Sequence, residues 1–242
     1  MERLASLISG GGTTMNEIVK ATQSGEIPDM EIACIIASKA EAGGIEKARK
    51  LGVLESDIVI INPHDFRMDG LMKIDREAFG RRILEVLHQH NATVITQNGW
   101  IPYTPDSVTL AYEGRIFNQH PGDPKQFGGK GMMGKAVHAA VLEFQRLAGR
   151  TFDTPVVAHY AQSGLDTGAV VKRQYAPVFS DDTVDALQAR ALLLEHQVQI
   201  ALLQDFVRGN VSALEPHILV HPSELELLKE AKRRACEAYP HG

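Results

Sequence analysis

Gly114-Arg115-Ile116-Phe117-Asn118-Gln119-His120-Pro121-Gly122 is the stretch around which the chain is organised. An apolar run passes through an amide and an imidazole and stops at a proline. Proline cannot donate to a sheet ladder and biases the residue before it towards extended backbone, so the segment predicts a strand ending at His120. Asn118 and His120 are two apart, and on a strand their side chains leave the same face. A hydrogen-bond donor and a titratable base then stand together at the carboxyl end of a strand, where open α/β sheets bind their ligands. A strand-end Asn and His that satisfy only local backbone groups would leave the same pattern.

Composition narrows the class. The chain has 242 residues, 44% of them apolar and 23% charged, enough for a substantial core. A formal charge of -5 argues against a broad nucleic-acid surface, while leaving room for a local anion site. Cys34 and Cys236 read as reduced thiols rather than a disulfide framework. No apolar run reaches membrane-spanning length and no signal-peptide pattern is visible. The expectation is a cytoplasmic protein without nucleic-acid or membrane partners.

Strands and helices alternate along the sequence. Residues 4–8 predict a buried strand, followed by Ser9-Gly10-Gly11-Gly12-Thr13-Thr14 and a helix over 15–24. A strand, a glycine turn and a helix aim unpaired N–H groups and the helix dipole at an anion. A plain tight turn has the same appearance, because the third glycine of a dinucleotide fingerprint and the lysine of a Walker loop are missing. Further strands are expected at 31–37, 58–61, 93–96 and 156–160, with helices at 44–51, 76–90 and 136–147 between them. His88 and His90 close an exposed helix end. Such alternation predicts a Rossmann-like open sheet, mostly parallel, with helices on both faces. A glycine-rich loop with two methionines covers 123–135 and reads as a loop bordering a site. Residues 169–171 and 176–178 read as extended, a long helix covers 183–206, and Ser223 is expected to cap a last helix reaching 238.

Taken together, these stretches resemble the folate-dependent formyltransferases. Members open with a strand and a Ser-Gly-x-Gly-Ser-Asn turn, matched here by Ser9 to Thr14. Their Gly-Arg-Ile-Ile-Asn-x-His-Pro stretch corresponds to Gly114 to Pro121. A His-bearing strand and an Asp-x-Gly turn correspond to His159 and Asp166-Thr167-Gly168. Gln174, Pro177-Val178, Arg190 and Glu195-His196 follow in the same order. The resemblance covers about residues 3 to 210, so residues 1–210 are expected to form the catalytic domain and 211–242 a helical extension packed on it. It implies transfer of a formyl group from 10-formyltetrahydrofolate, a co-substrate, to the amine of glycinamide ribonucleotide in purine synthesis, with no metal. Asn118 and His120 would hold the formyl oxygen, and Asp166 would set the charge of the imidazole and relay protons through water. Gly11, Gly12, Thr13 and Thr14 would hold the acceptor's phosphate and Glu195 its polar part. Trp100, Ile101, Gly164 and Leu165 would border the folate, and a homodimer is a possible assembly.

Departures from the pattern bear on both substrates. The family's Ser-Leu-Leu-Pro after His-Pro is Gly122-Asp123-Pro124-Lys125 here, and its methionine–arginine pair is replaced within Gly99-Trp100-Ile101-Pro102. An acceptor such as an amino sugar nucleotide is therefore an alternative. So is a deformylase, in which water takes the place of the amine, although such relatives carry an additional N-terminal domain. Relatives acting on initiator tRNA carry a sizeable C-terminal domain, and the acidic charge also argues against that substrate. A folate- or nucleotide-binding module without turnover is the non-enzymatic reading.

Overall fold

The computed structural model describes residues 1–68 and 73–242; residues 69–72, within the charged segment before the third helix, lie outside the described residues. The elements are β1 (Glu2–Ile8), α1 (Thr13–Gln23), β2 (Met30–Ala37), α2 (Gly43–Lys50), β3 (Ile58–Ile60), α3 (Arg76–Gln89), β4 (Val94–Gln97) and α4 (Asp106–Ala111). There follow β5 (Ile116–His120), α5 (Pro124–Phe127), α6 (Lys135–Ala148), β6 (Thr154–Tyr160), β7 (Val170–Ala176), α7 (Val184–Val207) and α8 (Leu225–Ala238). Short 3₁₀ turns occupy Glu55–Asp57, Pro63–Phe66 and Pro222–Glu224.

The strands form a seven-stranded sheet in the order β3-β2-β1-β4-β5-β6-β7. β1 pairs parallel with β2 and with β4, and β4 pairs parallel with β5, setting Gln97 opposite Asn118. β6 and β7 pair antiparallel, with Val157 opposite Arg173. Five consecutive residues of β1 are buried, as a strand covered on both faces requires. The mostly parallel sheet with flanking helices is the architecture expected from the alternation of elements.

The chain divides into two compact units. The first comprises Met1–Asn118, Tyr160–Ser163 and Leu203–Asn210. Its apolar clusters explain its helices. Met15 and Val19 of α1, one turn apart, pack with Ile8, Ile35 and Ile45. Phe79, Ile83, Val86 and Leu87 of α3 recur at helical spacing and pack with Leu7, Ile36, Ile95 and Trp100. His90 ends α3 half-buried beside Asp57, its Nδ1 3.5 Å from the carboxylate, rather than on an exposed helix end.

The second unit comprises Gln119–His159, Gly164–Leu202 and Val211–Gly242. α6 buries Ala136, Val137, Ala140, Val141 and Phe144, and closes on Gly149 at φ 65°, the left-handed stop that glycine supplies most readily. α8 lies against α6, joined at its edge by Arg234 Nη1 to Glu143 Oε1 at 2.6 Å.

Several elements differ from the sequence reading, among them α4 and α5, which it did not anticipate. α1 starts at Thr13, two residues early, because Gly12 takes a left-handed φ of 59° and turns the chain straight into the helix. In place of two extended runs at 169–171 and 176–178 there is one strand, β7, over Val170–Ala176, which ends before Pro177. Its polar Lys172–Gln174 interrupt the apolar pattern because an antiparallel strand needs burial on only one face. Ser223 does not cap the last helix. Pro222 begins a 3₁₀ turn there, and the Glu224 carboxylate accepts from the His221 N–H at 2.8 Å. Arg150 grips the same carboxylate through two nitrogens and holds its pKa down to about 2.

Candidate active site

The first unit holds a loop made of backbone. The strand order reverses beside β1, which places the loops leaving β1 and β4 at the switch point where open α/β sheets bind ligands. The two loops are stapled together: Ser9 N–H donates to Gly99 O at 3.1 Å and Ile101 N–H to Ser9 Oγ at 2.9 Å. Ser38 Oγ lies 2.7 Å from the same Ser9 oxygen. Gly12 must be glycine, since an added Cβ would stand 2.7 Å from Gly44 Cα at a positive φ. Among the described residues no side chain caps α1, which leaves its first N–H groups in the arrangement that can hold an anion. Thr13 is half-buried at this terminus, whereas the Thr14 hydroxyl is fully buried without a hydrogen-bond partner among the described residues. Lys47 adds a cation that the sequence reading missed, its ammonium 3.9 Å from where a Cβ on Gly11 would sit. Its signal was weak: one lysine in a basic helix, brought to Gly11 by the packing of α2.

Trp100 is 9% exposed and stacks on Phe79 with ring centroids 6.4 Å apart, while Ile101 beside it is 57% exposed. Asn118, half-buried, ends the first segment of this unit and sits on β5 opposite Gln97.

The second unit holds a cluster of titratable side chains, its histidines buried. His120 ends β5 and is 4% exposed. Its Nδ1 lies 3.2 Å from Gly122 O, and because a carbonyl can only accept, Nδ1 must carry the proton of that bond. Nε2 has no hydrogen-bond partner among the described residues and lies 3.8 Å from Asp166 Oδ2, ion-pair range when the ring is charged. Asp166 holds a left-handed φ of 55°, a cost tolerated most readily by Asp and Asn among residues with a side chain. Its Oδ2 accepts from Gly129 N–H at 2.8 Å, and its Oδ1 lies 3.7 Å from Nε2 of the buried His159. One carboxylate thus faces two imidazoles. Behind them His138 is buried on α6, its pKa pushed down to about 4 first by burial and then by the neighbouring His120.

The departures after His120 have a packing reason. A Cβ on Gly122 would meet Val137 Cγ1 at 2.8 Å, so the family's serine has no space there. Asp123 accepts from the N–H groups of Lys125 and Gln126, both at 3.0 Å, and so starts the single turn of α5 inside a segment that reads as loop. Gly164 and the half-exposed Leu165 precede Asp166 in its turn; a Cβ on Gly164 would stand 2.8 Å from Thr167 Cγ2. Glu195 on α7 is buried, its pKa pushed up to about 7 by burial, and accepts from Gln119 Nε2 at 2.5 Å. Gln119 and His120 are successive on β5, so their side chains leave opposite faces. Arg190 pairs bidentately with Asp182 at 2.7 and 2.8 Å.

A buried imidazole beside a carboxylate, at a strand end read from the Asn-x-His-Pro stretch, agrees with a comparison across known proteins. Residues 2–203 match the profile of the formyl transferase family. The chain belongs to that family.

Among relatives of this formyl transferase, a chloroplastic phosphoribosylglycinamide formyltransferase of Vigna unguiculata is 28% identical over 203 residues, covering 84% of this chain and 60% of that protein. The chain therefore spans less than two thirds of that relative's length. A phosphoribosylglycinamide formyltransferase of Haemophilus influenzae is 27% identical over 212 residues, covering 87% of this chain and 90% of that one. Among solved structures, glycinamide ribonucleotide transformylase 1 of Symbiobacterium toebii superposes with a TM-score of 0.73 at 26% identity, covering 89% of this chain and 95% of that one. Among the described residues, no helix is long and apolar enough to cross a membrane.

Proposed function

We propose that this formyl transferase moves a formyl group from 10-formyltetrahydrofolate to the amine of glycinamide ribonucleotide. The observation that carries the reading is the buried Nε2 of His120, without a hydrogen-bond partner among the described residues and facing the Asp166 carboxylate. The names of the Haemophilus and Symbiobacterium relatives support the acceptor.

The amine nitrogen attacks the formyl carbon and a tetrahedral oxyanion forms. An imidazolium at His120, with Nδ1–H spent on Gly122 O, has its Nε2–H left to donate to that oxygen, and the Asn118 amide is the second donor. The negative charge of Asp166 offsets that of the ring. As the intermediate collapses, the bond from carbon to the folate nitrogen breaks. The amine loses one proton and the folate nitrogen gains one, by a water relay ending at Asp166. Gly11, Gly12, Thr13 and Thr14 take the acceptor's phosphate at the start of α1, with Lys47 supplying charge. Glu195, titrating near neutrality, is the carboxyl on the acceptor side. Ile101, Gly164 and Leu165 border the folate, and Trp100 supports that border from the core.

The test is folate release from 10-formyltetrahydrofolate with glycinamide ribonucleotide, with an amino sugar nucleotide and with water alone. Release that depends on the ribonucleotide and yields formylated product supports the proposal. Release with water alone makes the chain a deformylase, and release only with the sugar amine changes the acceptor.

A further inference from the structure

The profile match ends at residue 203, yet α8, far beyond it, reaches the surroundings of Asp166. Lys232 on α8 donates from Nζ to Gly128 O at 2.7 Å and to Gln126 O at 3.3 Å. Gly128 O and Gly129 N–H belong to the same peptide group, and that N–H is the donor to Asp166 Oδ2 at 2.8 Å. We propose that Lys232 is a positioning residue for Asp166, acting through the single peptide that joins Gly128 to Gly129.

The physical reason lies in the two glycines. A Gly-Gly peptide has no Cβ on either side to resist rotation of its plane, so it turns over at little cost unless both edges are held. Here the ammonium holds the oxygen edge and the carboxylate holds the N–H edge. If the plane turned, Asp166 would lose its backbone donor and face an oxygen instead. A charge on the carbonyl also polarises the peptide and strengthens the N–H as a donor. Neither glycine is replaceable at low cost. A Cβ on Gly128 would stand 2.1 Å from Pro124 O and 2.9 Å from Asp166 Cβ, and Gly129 holds φ 97°.

Lys232 is itself aimed. The Gln126 amide fixes the segment that leads into α8, donating to His217 O at 2.7 Å and accepting from Leu219 N–H at 2.9 Å and Val220 N–H at 2.7 Å. Further along α8, Cys236 packs so closely on Gly131 that a Cβ there would meet its Sγ at 2.9 Å. Burial lowers the pKa of the Lys232 ammonium, while the nearby thiol of Cys236 and carboxylate of Asp166 act in the opposite direction.

The test uses the full chain carrying Lys232→Met, Lys232→Gln and Lys232→Arg, with Lys229→Met as the control; Lys229 pairs with Glu226 on the exposed side of the same helix. The first readout is hydrogen exchange at the Gly129 amide followed by NMR, which needs no substrate. Exchange about tenfold faster in the Met and Gln variants, and near the native rate in the Arg variant and the control, is expected for loss of one charge-assisted bond. The second readout rests on the proposed formyl transfer. There kcat falls about tenfold in Lys232→Met with acceptor KM unchanged, Lys232→Arg restores most of it, and Lys232→Met adds no further loss in an Asp166→Asn background. If Lys232→Met does not fold, the Gln and Arg variants give the same comparison. Native Gly129 exchange in folded Met or Gln variants overturns the proposal. Absence of formyl transfer in the unmodified chain counts against the function and leaves the amide result to decide the role of Lys232.

Discussion

The glycine loop of the first unit and the histidine–aspartate cluster of the second solve different problems with different materials. The loop from Ser9 to Thr14 is assembled from main-chain N–H groups and one hydroxyl staple, and its shape follows from residues that lack a Cβ. The cluster is assembled from side chains and one peptide brought together from four segments: β5, the loop after it, β6 and the turn at Asp166. Backbone donors are always present and always neutral, so such a site holds its ligand with little dependence on pH. Buried imidazoles and carboxylates exchange protons and are sensitive to everything that packs on them. The first design suits a group to be held, and the second a bond to be broken.

That contrast is open to direct test. The largest effect is expected in the cluster: His120→Ala and Asp166→Asn should each lower kcat by about a hundredfold or more with little change in acceptor KM, since the proposed mechanism uses each group in the transition state. Near-normal turnover in folded variants would break the division of labour. Glu195 comes next. Burial raises its pKa to about 7 from the ordinary 4.5, so between those values the folded state holds a proton that the unfolded state has lost. Stability then falls as pH rises through that window, by an amount on the order of 3 kcal/mol if the whole shift is expressed. Glu195→Gln should flatten this part of the stability curve in denaturant titrations at pH 5 and 8; parallel curves for both proteins would disprove it.

In the loop, Gly12→Ala should destabilise the fold by about 1–3 kcal/mol, because a left-handed residue gains a Cβ against Gly44. A thermal midpoint unchanged by the substitution would show that the loop yields more readily than its contacts suggest. The smallest effect belongs to single donors in the proposed phosphate loop. Thr13→Val or Lys47→Met should raise acceptor KM several-fold, about 1 kcal/mol, and leave kcat intact. A kcat defect with unchanged KM would move the loop into the chemistry and blur the contrast.

The two regions also differ in how far they could be read from the chain. The glycine run between a buried strand and an amphipathic helix announces its geometry locally, and only the start of α1 was displaced, by the left-handed Gly12. Asn118, His120 and Asp166 were recognisable as a set by their likeness to a family pattern, not by spacing. The 45 residues between His120 and Asp166 carry no signal that their side chains come within 3.8 Å. Lys47 and Lys232 escaped because one lysine on a charged helix looks like any other, and the segment 123–135 read as open loop although Asp123 starts a helical turn inside it.

Sequence alone determined the alternation of strands and helices, the mostly parallel sheet and the strand end at His120, because apolar periodicity, proline and glycine act over a few residues. Tertiary structure decided which face of Asp166 each histidine meets, which peptide donates to it, and that a C-terminal lysine holds that peptide in place. Those outcomes depend on distances of 2.7–3.8 Å between groups far apart in the chain, which only the packed core brings together.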